Sequence, residues 1–310
     1  MDIESFFLNT LRQSKIIGNL DDDCALLRTK PITKKGNLII ATDSFIEGSH
    51  FLLYAVKTQW ISYKNLARKA FLITISDIIS SGAKPCFALL AITLPSYINK
   101  ANIKEIIDGL QEICLEYQIM LIGGDTIKGS GLGFHVTIMG ELQGRYLSRR
   151  DVLCGDLLAY TSIRKGNLGR SLQCLRKLLR YEVELSSVNN SVIESSSIQA
   201  RFINPVLRAK FLFRAQKYIH ACMDISDGLG MEIHRLQHIN NLGLCLSKDF
   251  KAKSSSNVYQ SGEEYELLFS FSPKDLLCIK RIAKLCRIDL HIVGRFARLS
   301  KQRFHIITWH

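Results

Sequence analysis

Apolar runs in this chain repeatedly end in, or are broken by, an aspartate: LIIATDS (Asp43), FLITISDII (Asp77), IMLIGGD (Asp125) and CMDISDG (Asp224 and Asp227). A further acidic cluster, Asp21-Asp22-Asp23, leads into CALL. An ionised carboxylate resists burial unless it is paired or metal-bound. Two of them about 4 Å apart repel by roughly 4 kcal/mol at an effective dielectric of about 20. Each acid alone could cap a helix or turn, or pair with a lysine. Their recurrence at strand ends and inside an apolar helix points to one shared site. Oxygen ligands without His or Cys partners select a hard cation such as Mg²⁺, which usually joins a few carboxylates to substrate phosphates.

The stretch LIGGDTIKGSG (121–131) resembles a phosphate-cradling loop and is not one. A P-loop needs G-x-x-x-x-G-K-[ST]; here Gly129 is followed by Ser130, and Lys128 precedes it. The reading assigns Asp125 to a metal and uses Gly123 and Gly124 for close approach of a nucleotide to the backbone. Lys128 stays open between a phosphate contact and a solvated side chain.

Strand-like and helix-like segments rotate along the chain, which predicts α/β layers. Strands are expected at GNLIIATDS, CFALLAITLP, IMLI, LGFHVTIMGEL, DLLAYTSI, ACMDIS, EYELLFSF, LHIVG and FHIIT. Helices are expected at 3–14, 58–81, 100–118, VLRAKFLFRAQKYI, GLGMEIHRLQ, LGRSLQCLRKLL and 274–286, with polar loops at SSVNNSVIESSS and KAKSSSNVYQSG. At 310 residues there is room for two domains, each with its own core, divided as 1–143 and 144–310.

With 47% hydrophobic and 22% charged residues the composition is that of a soluble globular protein. MDIESFF lacks the basic start of a signal peptide, and no apolar stretch approaches a membrane span. Nine cysteines without a C-x-x-C pair argue against a disulfide framework or zinc site and fit a reducing cytoplasm. The net charge of +13 is concentrated in 145–180 and 274–303. No nucleic-acid-binding motif accompanies it, so it reads as a solvated basic surface or as attraction for a small polyanionic substrate.

Seven motifs occur in order: DDDCALL, ATDSFIEGSHF, ITISDIISSGAKPCFALLAITLP, LIGGDT, LSRRDVLCGD, MDISDGL and SGEEYELLF. Together they resemble the thiamine-monophosphate kinase family, within the superfamily of aminoimidazole ribonucleotide synthetase, selenophosphate synthetase and the hydrogenase-maturation carbamoyl dehydratase. The resemblance runs from about residue 18 to 271, with a weaker tail to 310. EGSHF after TDS and GE-x-YELLF favour this family over its relatives.

The resemblance implies a two-domain α/β fold like that of aminoimidazole ribonucleotide synthetase. It implies Mg²⁺-dependent transfer of the ATP γ-phosphoryl group onto the phosphate of thiamine monophosphate. It also implies a cytoplasmic homodimer whose N-terminal sheets pair across the two-fold, with the nucleotide close to that interface. Carried over by motif, Asp23, Asp43, Asp77, Asp125 and Asp224 resemble the principal metal ligands, assisted by Thr42 and the carbonyl of Ala41, with Asp227 taking a further ion. Tyr117, Gly124, Asp125, Arg149 and Ser226 resemble nucleotide contacts. His50, Glu263 and Trp309 resemble substrate contacts, His50 donating to the phosphate and Glu263 facing the cationic ring system.

The chain departs from the family pattern at Asp21, where a glycine is usual, at Gly262-Glu263-Glu264 in place of GED, and in the bulkier RDVLCGD. Two rival readings remain: a superfamily member with another phosphoryl acceptor, and a non-catalytic, basic nucleic-acid-binding homologue. Selenophosphate synthetase is disfavoured because residues 1–20 contain no cysteine.

Overall fold

The computed structural model describes residues 24–28, 37–185, 201–253 and 255–298. Asp23, Trp309, the helix expected at 3–14 and the strand FHIIT lie outside them.

The first sheet is built from β1 (Ala25–Arg28), β2 (Asn37–Ile46), β3 (Ala83–Leu94), β4 (Met120–Lys128) and β5 (Gly133–Leu142), in the order β1-β2-β5-β3-β4. Only β3 and β4 run parallel. The second sheet takes β6 (Leu157–Ile163), β7 (Ile219–Asp224), β8 (Gly243–Leu246), β9 (Leu267–Phe271) and β10 (Ile288–Ala297), in the order β7-β9-β6-β10-β8. All its neighbours are antiparallel. The parallel β3–β4 pair is bridged by a helix, as parallel strands require.

One helix is expected over 58–81; α2 (Tyr63–Ser80) forms there, and a separate short helix, α1 (Leu53–Lys57), precedes it. The break falls where Gln59 takes a left-handed conformation (φ 58°) and Ser62 caps the next helix, accepting the amide of Asn65 at 3.2 Å. α3 (Lys100–Tyr117) starts at a capping box on Asn99 and stops where Gln118 turns left-handed. In the second half α4 (Arg170–Leu185), α5 (Ala209–Ala215), α6 (Leu229–Asn240) and α9 (Leu276–Leu285) form helices. The expected loop KAKSSSNVYQSG instead contributes to two short helices, α7 (Lys248–Lys253) and α8 (Ser256–Gln260).

α2 is buried on nearly every side, between β2, β3 and β5 on one flank and α3, α5 and β7 on the others. Its apolar pattern is accordingly all-round rather than one-sided. The consequence is a main core that runs continuously through both sheets, from Ile39 and Phe134 to Phe269 and Phe271, across the expected division at 143. A smaller core, including Leu158, Ile233 and Val293, lies wholly in the second half.

Candidate active site

The polar residues of α2 mark where its surroundings open. Asp77 on α2, Asp43 near the end of β2, Asp224 at the end of β7 and Asp227 in the turn before α6 line one cavity of about 240 Å³, with Ser226 and Arg235. The turn is held in place by the segment 263–266. Glu263 N donates to Ser226 O (2.6 Å), Tyr265 N to Ile225 O (2.9 Å) and Ile225 N to Glu266 O (2.9 Å). Glu263 and Tyr265 both adopt positive φ (51° and 50°), so this stapled loop carries backbone strain beside the cavity.

The carboxylates are incompletely satisfied. Asp224 accepts from Ser76 Oγ at 2.5 Å, while its Oδ1 is buried with no hydrogen-bond partner. Burial raises its pKa to about 6, against the pull of Ser76 and Arg149, with Glu232 and Asp43 raising it further. Burial likewise raises the Asp43 pKa, opposed by Thr74 and Asp77, and Asp43 Oδ2 is also buried without a partner. Asp227 is bound by Arg235 at 2.7 Å. Glu232, fully buried beneath the turn, accepts the amide of Asp227 at 3.1 Å and is held by Arg235. Two orphaned carboxylate oxygens facing one another's charge call for a cation, and the all-oxygen set suits Mg²⁺. Among the described residues no three His, Cys, Asp or Glu side chains form a ready-made cage. That fits an ion that keeps waters and arrives with phosphates.

A second cavity, of about 210 Å³, adjoins the first and is lined by Phe45, Phe51, Trp60, Phe202, His50 and Lys69 among others. His50 lines both cavities. Its Nδ1 accepts the amide of Ile46 at 3.1 Å, so the neutral ring carries its proton on Nε2. Lys69 is 2% exposed; its ammonium lies 2.6 Å from Glu263 Oε2 and 3.9 Å from the centre of the Phe202 ring. Lys69, Ile73 and Asp77, four residues apart on α2, form one stripe leading from the aromatic cavity to the acidic one.

Asp125 is not part of this gathering. The row Asp43–Val136–Leu90–Gly124 crosses four strands, a span of about 14 Å. Asp125 sits in the next row, with Ser44, His135 and Ala91, at the far edge of the sheet. It is exposed, caps the amide of Thr126 and lines a groove of about 640 Å³ between β4 and α3. Gly124 has a reason of its own, since a Cβ there would overlap the carbonyl oxygen of Leu90.

Thr42, one residue out of phase with Asp43, hydrogen-bonds Val136 O and Thr137 Oγ1 and does not line the acidic cavity; the Ala41 side chain is buried. Tyr117 packs against the main core at the end of α3. Arg149 is 7% exposed and acts electrostatically on Asp224, whereas the adjacent Arg150 is exposed. Lys128 is exposed on the edge strand. Lys69, Glu232 and Arg235 are not singled out by the sequence; each is an ordinary charged residue in a helical pattern until its buried partner is known.

Two sheets that share one buried helix, with carboxylates collected at its polar stripe, define a protein of the aminoimidazole ribonucleotide synthetase-related class. The model for "AIR synthase related protein, N-terminal domain" matches residues 21–142. The thiamine-monophosphate kinase of Buchnera aphidicola from Schizaphis graminum is 32% identical, the alignment covering 96% of this chain and 91% of that protein. The enzyme of the same name from Bacillus subtilis is 30% identical over 99% and 93%. The chain belongs to the thiamine-monophosphate kinase family. Solved structures share the fold. One described as AaThiL complexed with AMPPCP and TMP superposes with a TM-score of 0.79 at 22% identity, covering 100% of this chain and 98% of that one. A thiamine-monophosphate kinase from Stenotrophomonas maltophilia has a TM-score of 0.72 at 24% identity, covering 97% and 94%.

Proposed function

We propose that the protein transfers the γ-phosphoryl group of ATP to thiamine monophosphate, giving thiamine diphosphate and ADP. The observation that carries this reading is the double membership of His50, one wall of an aromatic cavity and one wall of an acidic cavity. A ring-bearing monophosphate seated in the aromatic cavity would present its phosphate to His50 Nε2–H and to the carboxylate cluster. A related reaction on an acceptor without a ring would leave that cavity unused. Family membership and the superposition on a kinase fold described with AMPPCP and TMP support the same assignment.

Asp43, Asp77, Asp224 and Asp227 would hold Mg²⁺, with Asp23 and Asp125 as further ligands and the Ala41 carbonyl and Thr42 assisting. The ions would neutralise donor and acceptor phosphates so that the two can approach in line. The chain's own groups then orient and shield. Phe45, Phe51, Trp60 and Phe202 exclude water from the ring site, and Lys69, whose ammonium is paired with Glu263, sets its polarity. Arg149, Ser226, Tyr117 and Gly124 are assigned to the nucleotide, and Trp309 to the substrate.

The reading includes a homodimer formed through β4, supported by the exposed Met120, Leu121, Ile122 and Ile127 along that edge. Division into 1–143 and 144–310 is supported by the two sheets, whose strands fall on either side of it. Among the described residues no helix is long and apolar enough to cross a membrane, and a cytoplasmic location is part of the proposal.

The test is incubation with ATP, Mg²⁺ and thiamine monophosphate, with thiamine diphosphate read by chromatography. Product that disappears with EDTA supports the reading. Absence of product while ATP still binds would redirect it to another acceptor, and absence of ATP binding would overturn the site.

A further inference from the structure

Most of the +13 net charge lies outside the site described above, because the acidic cavity and the aromatic cavity use few of the cations. The fold brings members of its two basic stretches together elsewhere. In the second sheet Ile163 of β6 pairs with Ile288 of β10. The residues just beyond that pair, Arg164 and Arg287, therefore leave the sheet side by side. α9, which leads into β10, adds Lys280 and Lys284 one turn apart on the same face. These four cations line a cavity of about 520 Å³ that shares no residue with either active-site cavity.

None of the four has an ion-pair partner among the described residues. The acid in the wall, Asp289, is engaged by the amide of Lys165 at 2.7 Å. Lys165 and Arg287 both hold left-handed backbone (φ 58° and 56°), so two non-glycine turns beside the cavity carry strain. Like charges at helical i, i+4 spacing and across a strand pair disfavour the fold by themselves. An anion with several charged oxygens would relieve all these repulsions at once. The volume is that of a small-molecule site rather than an extended groove.

We propose that this cavity is a second, metal-independent binding site for a small polyphosphate anion, remote from the carboxylate cluster. Arg164 and Arg287 would fork onto terminal phosphate oxygens, and Lys280 and Lys284 would neutralise the chain between them. The inference does not depend on the proposed reaction, since it concerns residues that touch neither active-site cavity.

The experiment is calorimetric titration of the full chain with sodium tripolyphosphate in EDTA at about physiological ionic strength, where carboxylates without metal repel phosphate. One binding site is expected in the wild type. Lys280→Gln/Lys284→Gln should bind about a hundredfold more weakly, about tenfold for each charge-assisted hydrogen bond removed. Lys57→Gln/Lys210→Gln, on exposed lysines elsewhere, should bind as the wild type does. ATP in EDTA compared with tripolyphosphate tells a nucleotide from an inorganic ligand, and tight binding of either supports the site. No heat in the wild type would overturn the proposal. So would equal losses in the two double variants, which would mean a solvated basic face only. Displacement of tripolyphosphate by a tighter-binding single-stranded oligonucleotide would overturn it in favour of nucleic-acid binding.

Discussion

The ammonium of Lys69 meets the carboxylate of Glu263 at 2.6 Å across 194 residues of sequence, with 2% and 4% of their side chains exposed. The pair ties the central helix of the first half to the strained loop that carries the second half's contribution to the site. Breaking a buried pair from one side strands the remaining charge and costs about 3–5 kcal/mol. Lys69→Met and Glu263→Gln should each lower the melting temperature sharply. The double variant should recover part of the loss, because neither charge is left alone. Thermal melts of the three variants decide this, and strictly additive losses would show that the pair is not coupled. The KM for thiamine monophosphate should rise more than that for ATP in each.

The proposed metal role of Asp43 implies a cost to the metal-free fold. Its Oδ2 lacks a hydrogen-bond partner, and Asp77 is close enough to influence its ionisation. Asp43→Asn should reduce turnover by on the order of a hundredfold or more. In EDTA the same change should raise the melting temperature by about 2–4 °C, the equivalent of about 1 kcal/mol of relieved repulsion. Mg²⁺ should stabilise the wild type more than the variant. A variant that melts lower in EDTA would show that Asp43 is a structural acid.

Asp125 lies about 14 Å across the sheet from Asp43, on the exposed apolar edge strand β4, so in the proposed homodimer we expect it to serve the cavity of a partner protomer. Asp43→Asn and Asp125→Asn should each be inactive alone. Mixed after reversible dissociation, they should regain about a quarter of wild-type activity, because random pairing makes half the dimers mixed, each with one intact site. Mixtures as dead as the parents would place Asp125 in its own chain's site or outside catalysis.

Glu266 gives the stability a pH dependence. Burial raises its pKa, but Arg208 and Arg201, with Thr161, prevail and hold it below the ordinary value of 4.5. The folded form therefore releases this proton more readily than the unfolded form. The contribution is full above the unfolded pKa and is lost as pH falls through the depressed folded value. Glu266→Gln should cost about 3–5 kcal/mol at pH 7, leaving two partly buried guanidinium groups beside a neutral partner. The gap from the wild type should narrow in denaturant titrations below about pH 4.5. A gap that is constant from pH 7 to pH 3 would assign the loss to packing.

Much of this site is legible in the sequence because a carboxylate inside an apolar run has no inexpensive place to go. Asp43, Asp77, Asp224 and Asp227 converge for that reason. Asp125 obeys the same local rule and yet lands elsewhere, because its position is set by which strands pair, which local sequence does not encode. Lys69 escapes notice for the converse reason. A lysine in a helix normally reaches water, and only the near-complete enclosure of α2 turns it inward. The same enclosure carries the main core through both sheets, beside the smaller core of the second half. Short elements such as β8 and the turn at Gln59 depend on one or two residues of backbone preference and carry little pattern.

Lys69 and Asp77 stand on one helix, eight residues and about 12 Å apart along its axis. A helix packed on nearly all sides cannot stretch, so it acts as a gauge fixed between the ring pocket and the carboxylates. In the proposed reaction, substrate choice would then be a matter of length as well as charge. An alcohol lacking the phosphate would fill the aromatic end and stop short of the ions, while a molecule already extended by a second phosphate would overrun the position the incoming group must occupy. In the proposed reaction, that fixed dimension would disfavour the finished product relative to its precursor.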